Sequence, residues 1–290
     1  MTDSPIAASG TFTLGANSGD PMTVRRLGFG AMRITGAGVW GDPPDRGTAI
    51  EVLREAVRQG VDFIDTADSY GPGTSEDLIR EALHPYDGLT IATKGALTRQ
   101  GPDLFAVVGR PEYLRQAVHM SLRRLGVERI DLWQLHRIDP AVPADEQFGA
   151  MREFVDEGLV RHVGLSEVTV EELQSALTII DVVSVQNLYN AGNRSSERLV
   201  DHCTENGIGF IPWFPLGNRV LLADDGPLAA VAGESGCTPA QAAIAWLLQH
   251  SPVILPIPGT GSVEHLVENC GAGPVRLTSA QVSAIDALAD

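Results

Sequence analysis

Short apolar runs rich in β-branched residues recur along the chain, separated by longer stretches in which apolar positions return every three or four residues. The runs are LGFGAM near residue 27, VDFIDTA near 61, LTIATK near 89, IDLWQLH near 130, VRHVGLS near 160, DVVSVQN near 181, IGFIPW near 208 and PVILPIP near 252. Runs of this length and composition read as strands, and the three-and-four spacing between them reads as amphipathic helix. The helical pattern is clearest in TAIEVLREAVRQG, PEYLRQAVHMSLRRLG, Glu153 to Gly158 and PAQAAIAWLLQH. Gly60, Gly126, Gly158 and Gly207 follow such stretches, where a left-handed helix cap favours glycine. Strands joined by crossover helices form either a closed barrel or an open doubly wound sheet. The open dinucleotide-binding sheet usually carries GxGxxG after its first strand, whereas LGFGAMR has glycine only at 28 and 30. The pattern therefore predicts an α/β chain with a single (β/α)8 TIM barrel over residues 21–290. Residues 1–20, rich in Gly, Ser and Thr, are expected to form a flexible tail or small hairpin capping one end.

The length of 290 residues suits one such barrel, a fold that typically takes about 250. A composition 43% hydrophobic and 20% charged supplies enough apolar surface for a packed interior. A net charge of −16 opposes nonspecific attraction to nucleic acid or to anionic membranes, so neither is an expected partner. An anionic cofactor remains compatible, because a few cations and backbone amides decide that contact locally. Cys203, Cys237 and Cys270 are odd in number and far apart, which points to buried small side chains rather than to disulfides or a zinc site. The N-terminus has no basic start followed by an apolar stretch, and no window reaches the ~18 apolar residues of a membrane span. A cytoplasmic protein, monomeric or weakly self-associating, is expected.

In a barrel of this kind chemistry gathers at the C-terminal ends of strands, so polar residues that close apolar runs are the ones to examine. Asp65 closes VDFID, Lys94 closes LTIATK and His136 closes IDLWQLH, and Tyr70 follows Asp65 on the same loop. Singly, each has a structural explanation: a cap, a solvated ammonium, a satisfied imidazole, a ring packed under a turn. Together they answer one chemical problem. Reducing a carbonyl requires a proton donor, and an ordinary phenol with a pKa of about 10 is a sluggish acid near neutrality. Lys94 beside Tyr70 would lower that pKa, Asp65 would keep the ammonium charged and oriented, and His136 would hydrogen-bond the carbonyl oxygen.

The segments FIDTADSYG, TIATK, DLWQLH, VGLS, VQNLYN, PWFPLG and IPGT resemble, in order and over most of the chain, those of the aldo-keto reductase family. The resemblance implies Tyr70, Asp65, Lys94 and His136 as a catalytic tetrad that reduces an aldehyde or ketone carbonyl of a small molecule, with NADPH as hydride donor. For the cofactor it implies Gly30, Ala31 and Met32, then Ser166 and Gln186, with Trp213 stacking on the nicotinamide and Phe214, Pro215, Leu216 and Gly217 folding over the pyrophosphate. Pro258, Gly259, Thr260, Ser262, His265, Glu268 and Asn269 match the segment that holds the adenosine 2′-phosphate and adenine.

Two departures from the family pattern stand out. Glu167 replaces the usual Asn that clamps the nicotinamide carboxamide; it can accept a hydrogen bond there but, ionised, cannot donate one. The 2′-phosphate segment lacks the Lys or Arg of many relatives, which leaves NADH open as a second donor and makes Arg219 the candidate cation. For the substrate, Trp40 and Arg137 are candidate walls, together with the segment around Tyr189 and Asn190. VWGDPPDR, FPLG and the Tyr189, Asn190, Arg194 set are similar to a bacterial branch of the family that includes pyridoxal reductases. The alternative from another class is a cofactor-binding regulatory or scaffold protein of the same fold with little turnover. A barrel glycosidase needs paired carboxylates, which these strand ends do not offer, and the Tyr70 and Lys94 pair argues against a barrel isomerase.

Overall fold

The computed structural model describes residues 4–218, 220–223 and 225–288. An antiparallel hairpin, β1 (Thr11–Leu14) and β2 (Met22–Arg25), precedes the first barrel strand. The parallel strands that follow are β3 (Phe29–Gly30), β4 (Phe63–Asp65) and β5 (Thr90–Gly95). A second hairpin, β6 (Leu97–Gly101) with β7 (Leu104–Val107), interrupts the alternation before β8 (Ile130–Leu135), β9 (Val160–Ser166), β10 (Val182–Gln186) and β11 (Gly209–Phe210). The order β3-β4-β5-β8-β9-β10-β11 is parallel throughout.

The eighth expected run, 252–258, closes the sheet on itself without forming a regular ladder. Phe210 N–H donates to Val253 O at 2.8 Å and Leu255 N–H to Phe210 O at 2.8 Å, while on the other side Gly28 N–H reaches Pro256 O at 3.0 Å. Pro252, Pro256 and Pro258 have no N–H to give, so this segment mostly accepts. The (β/α)8 barrel is thus present, with one seam thinner than the others.

Helices form the outer ring: α1 (Arg46–Arg58), α2 (Thr74–Leu83), α3 (Pro111–Leu125), α4 (Ala144–Asp156), α5 (Val170–Leu177), α6 (Glu197–Asn206), α7 (Ala229–Ser235), α8 (Pro239–His250), α9 (Val263–Cys270) and α10 (Ser279–Asp286). Their starts follow local chemistry, with reciprocal capping boxes at Thr169 and Glu172, Thr238 and Gln241, and Thr278 and Gln281. Gly126 and Gly207 end α3 and α6 with φ of 73° and 66°, as the sequence predicts. Cys203 and Cys270 are buried and all three cysteines are free. Among the described residues no helix is long and apolar enough to cross a membrane.

The strand period of two places the site. Phe63, Ala92 and Leu132 pack in one core with Leu14, Met22 and Val24 of the first hairpin, which fills the N-terminal end of the barrel. Two residues further along the same strands, on the same side by strand geometry, stand Asp65, Lys94 and Gln134. An apolar layer therefore supports a polar one at the C-terminal mouth.

Candidate active site

The polar layer is built around one ammonium. Lys94 is fully buried, and its Nζ donates to Asp65 Oδ1 at 2.5 Å, to Thr66 O at 2.9 Å and to Tyr70 OH at 3.5 Å. Those three acceptors match the three donors an ammonium has. Asp65 Oδ2 accepts in turn from Gln134 Nε2 at 3.0 Å and Gln186 Nε2 at 2.9 Å. Burial is the largest influence on Lys94 and depresses its pKa, but Asp65 and Tyr70 together outweigh it and hold the pKa above the ordinary lysine value.

Tyr70 reaches this ammonium because the chain turns back after β4. Thr66 N–H and Asp68 N–H donate to Ala92 O and Lys94 O at 2.8 and 3.0 Å, extending the β4–β5 pairing beyond the strand. Tyr70 N–H then bonds Ala67 O at 3.2 Å, and Gly71, at φ 94°, supplies a conformation that most side chains resist. His136 is anchored by its N–H to Gly95 O at 2.8 Å, and its ring meets the Tyr70 ring edge-on with centroids 6.0 Å apart.

One expectation about this group is corrected. The Tyr70 pKa lies above the ordinary phenol value of 10, because burial outweighs the pull of Lys94 and Asp65 works against that pull. The phenol is therefore neutral and protonated at rest. His136 is pushed well below its ordinary value, first by burial and then by Lys94 and Arg137, so its imidazole is neutral too. Its Nδ1 is buried without a hydrogen-bond partner among the described residues.

Tyr70 and His136 face a cavity of about 650 Å³ at the C-terminal mouth. Gly30, Met32, Ser166, Gln186, the run Trp213, Phe214, Pro215, Leu216, Gly217, and Pro258 and Gly259 border it, as does Arg137. Ala31 is buried behind this wall, and its carbonyl accepts from Ser75 Oγ at 3.3 Å. Thr260, Ser262, His265, Glu268 and Asn269 continue beyond it into α9, where Ser262 caps the helix by accepting from His265 N–H at 3.3 Å. Arg219 lies outside the described residues.

Five more of the residues singled out in the sequence do not border the cavity. Glu167 does not border the cavity. At φ 55° it turns its carboxylate so that Oε1 accepts from Trp213 Nε1 at 2.5 Å and from Leu188 N–H at 2.7 Å. Through Oε1 it holds the indole of Trp213. Glu167→Ala would leave the indole N–H without its charged acceptor, a loss of ~1.5–3 kcal/mol of local interaction. We expect an altered Trp213 fluorescence and a nicotinamide cofactor Kd raised about tenfold or more, with Glu167→Gln affected less. A wild-type Kd in the alanine variant would refute this role.

Trp40 sits at the rim outside the cavity, with the Arg99 guanidinium 5.7 Å from its ring. Tyr189 is buried against Trp246, its centroid 5.8 Å away, and its hydroxyl bonds Glu197 and His250. Asn190 acts at one remove: its Nδ2 donates to Phe214 O at 3.1 Å and anchors the loop over the cavity. Arg194 packs over Trp246 and pairs with Asp286 at 3.2 Å, so it too is structural.

The wall that the sequence reading missed is the β6–β7 hairpin, which contributes Leu97, Phe105 and Val107. Arg99 secures it, stacking 3.8 Å from the Phe105 ring and donating to Val39 O, Gly38 O and Ser69 O of the two preceding loops. The turn residues Gly101, Pro102 and Asp103 are its local signal in the sequence.

A buried Lys–Asp pair, a tyrosine and a histidine thus stand together at the C-terminal mouth of the barrel. The aldo/keto reductase family model covers residues 26–290, and the chain belongs to this family of oxidoreductases. It is 51% identical to an uncharacterised oxidoreductase of Schizosaccharomyces pombe, over 91% of this chain and 87% of that one. It is 43% identical to the pyridoxine 4-dehydrogenase of Escherichia coli, over 97% and 99%. Among solved structures, an aldo/keto reductase of Klebsiella pneumoniae in complex with NADP and acetate superposes with a TM-score of 0.76 at 26% identity, covering 92% of each chain.

Proposed function

We propose that this oxidoreductase uses NADPH to reduce an aldehyde to an alcohol, pyridoxal being the leading substrate. The observation that carries the reading is the buried ammonium of Lys94 shared between Asp65 and Tyr70, two residues that border the cavity together with His136. The bordering residues suit a dinucleotide. Trp213 offers a flat face, Ser166 and Gln186 offer polar groups beside it, and the start of α9 offers backbone N–H groups to an anion. A Cβ on Gly259 would meet Gly30 O at 2.5 Å, so the turn packs against β3 as only glycine permits. The NADP-bound Klebsiella structure and the pyridoxine 4-dehydrogenase relative support the cofactor and the substrate class.

When bound, the cofactor supplies hydride to the carbonyl carbon. The chain's own part is the proton and the charge. A carbonyl oxygen between Tyr70 OH and a neutral His136 Nε2–H is oriented by two donors, and it becomes basic as the alkoxide develops. Tyr70 transfers its proton to that oxygen, and the phenolate left behind is stabilised by the Lys94 ammonium. The raised resting pKa of Tyr70 does not oppose this sequence. It keeps the proton in place until a stronger base forms beside it, and Lys94 then acts on charge that exists only late in the reaction.

The pH dependence follows from the two directions. With His136 neutral well below its ordinary value, kcat/KM for reduction should show no inflection near the usual histidine pKa of about 6.5. Activity should be lost as pH rises through the Tyr70 pKa, above the ordinary 10, where the donor disappears. A bell centred near neutrality would contradict both assignments. The function itself is tested by mixing the purified protein with NADPH and pyridoxal and following dihydronicotinamide absorbance. Catalytic loss of absorbance supports the reading, and binding of NADPH without turnover across a panel of aldehydes would favour the regulatory alternative.

A further inference from the structure

The cavity contains a cation that the proposed proton transfer does not use. Arg137 directly follows His136 at the end of β8, is half-buried, and borders the cavity. Its Nη1 donates to His136 O at 2.5 Å and to Ser166 Oγ at 3.1 Å. Among the described residues its Nε and Nη2 have no protein acceptor. Glu167 acts on it through space, with no hydrogen bond between the two among the described residues. Around it the walls are apolar, with Phe105, Val107, Ile138 and Leu222 facing the same space. A guanidinium in such surroundings, with donors left over, gains most from a ligand that brings an anionic oxygen.

We infer that Arg137 sets substrate specificity by pairing with an anionic oxygen placed next to the reacting carbonyl. The inference rests on the carbonyl-reductase reading above. Tyr70 and His136 hold the carbonyl oxygen, and Arg137 is tied to the backbone of His136 itself. Arg137 lines the cavity with Tyr70 and His136 and its charge acts on both, so an oxygen paired with it sits beside the carbonyl rather than across the ring from it. The substrate class is an aromatic aldehyde with an ionised oxygen substituent ortho to the formyl group. Pyridoxal, whose phenolic oxygen neighbours its aldehyde, belongs to that class. The apolar walls accept the flat ring.

The test compares 2-carboxybenzaldehyde, 4-carboxybenzaldehyde and benzaldehyde as substrates of wild type, Arg137→Met and Arg137→Lys with NADPH. The quantity read is the ratio of kcat/KM for each carboxylated aldehyde to that for benzaldehyde, in which any general loss of activity cancels. In wild type the ortho ratio should be roughly 10 to 100, as expected for a charge-assisted hydrogen bond, and the para ratio near one. Arg137→Met should bring the ortho ratio towards one, and Arg137→Lys should keep part of it. An ortho ratio unchanged in Arg137→Met, or equal ortho and para ratios in wild type, would overturn the inference. Quenching of tryptophan fluorescence by 2-carboxybenzaldehyde gives a second reading that needs no turnover. Quenching that Arg137→Met weakens, in a protein that reduces no aldehyde, would keep the role of Arg137 and sink the reductase reading. Reduction without discrimination would do the reverse.

Discussion

Tyr70→Phe is expected to lower kcat/KM for aldehyde reduction by roughly 10²- to 10⁴-fold, the usual contribution of a positioned general acid. The change removes one oxygen and little else. The ring keeps its edge-on contact with His136, and Lys94 keeps Asp65 and Thr66 as acceptors at 2.5 and 2.9 Å. The fold and the cavity should therefore survive, and the Kd for NADPH should stay within about threefold of wild type. The loss should appear in kcat as well as in kcat/KM, because the donated proton matters only as the alkoxide forms. A variant that retained activity would mean that water or His136 supplies the proton.

The second large effect is on stability. Asp65→Leu removes the one carboxylate that, among the described residues, bonds a fully buried ammonium, and leaves the Gln134 and Gln186 amides without their shared acceptor. Breaking a buried pair from one side costs about 3–5 kcal/mol, since an uncompensated charge stays behind. The urea midpoint should fall accordingly. In the double variant Asp65→Leu with Lys94→Met both charges are gone, and part of that loss should return although activity stays abolished. Additive losses in the double variant would show that the two residues do not act as a pair.

Much of this arrangement was legible in the chain because it breaks a pattern. Asp65, Lys94 and His136 are polar groups at the ends of otherwise apolar runs, and strand periodicity alone puts two of them two residues beyond inward core positions. Barrel closure was legible from the alternation of runs and helical stretches, although the proline-rich eighth run forms only part of its expected ladder. Other features were hidden because they depend on contacts distant in sequence. The turn of Glu167 towards Trp213 joins residues 46 apart and follows from a left-handed backbone that nothing local announces. The role of the β6–β7 hairpin depends on Arg99 gathering carbonyls from two other loops. The sign of the Tyr70 shift required knowing its burial, which outweighs the ammonium that the sequence did reveal.

The most direct measurement is a crystal structure of the protein with oxidised cofactor and an unreactive carbonyl analogue. The carbonyl oxygen should lie within about 3 Å of both Tyr70 OH and His136 Nε2, with Lys94 Nζ on the far side of the phenol and the ring of Trp213 against the nicotinamide. A carbonyl bound away from Tyr70, or a nicotinamide outside this cavity, would contradict the account.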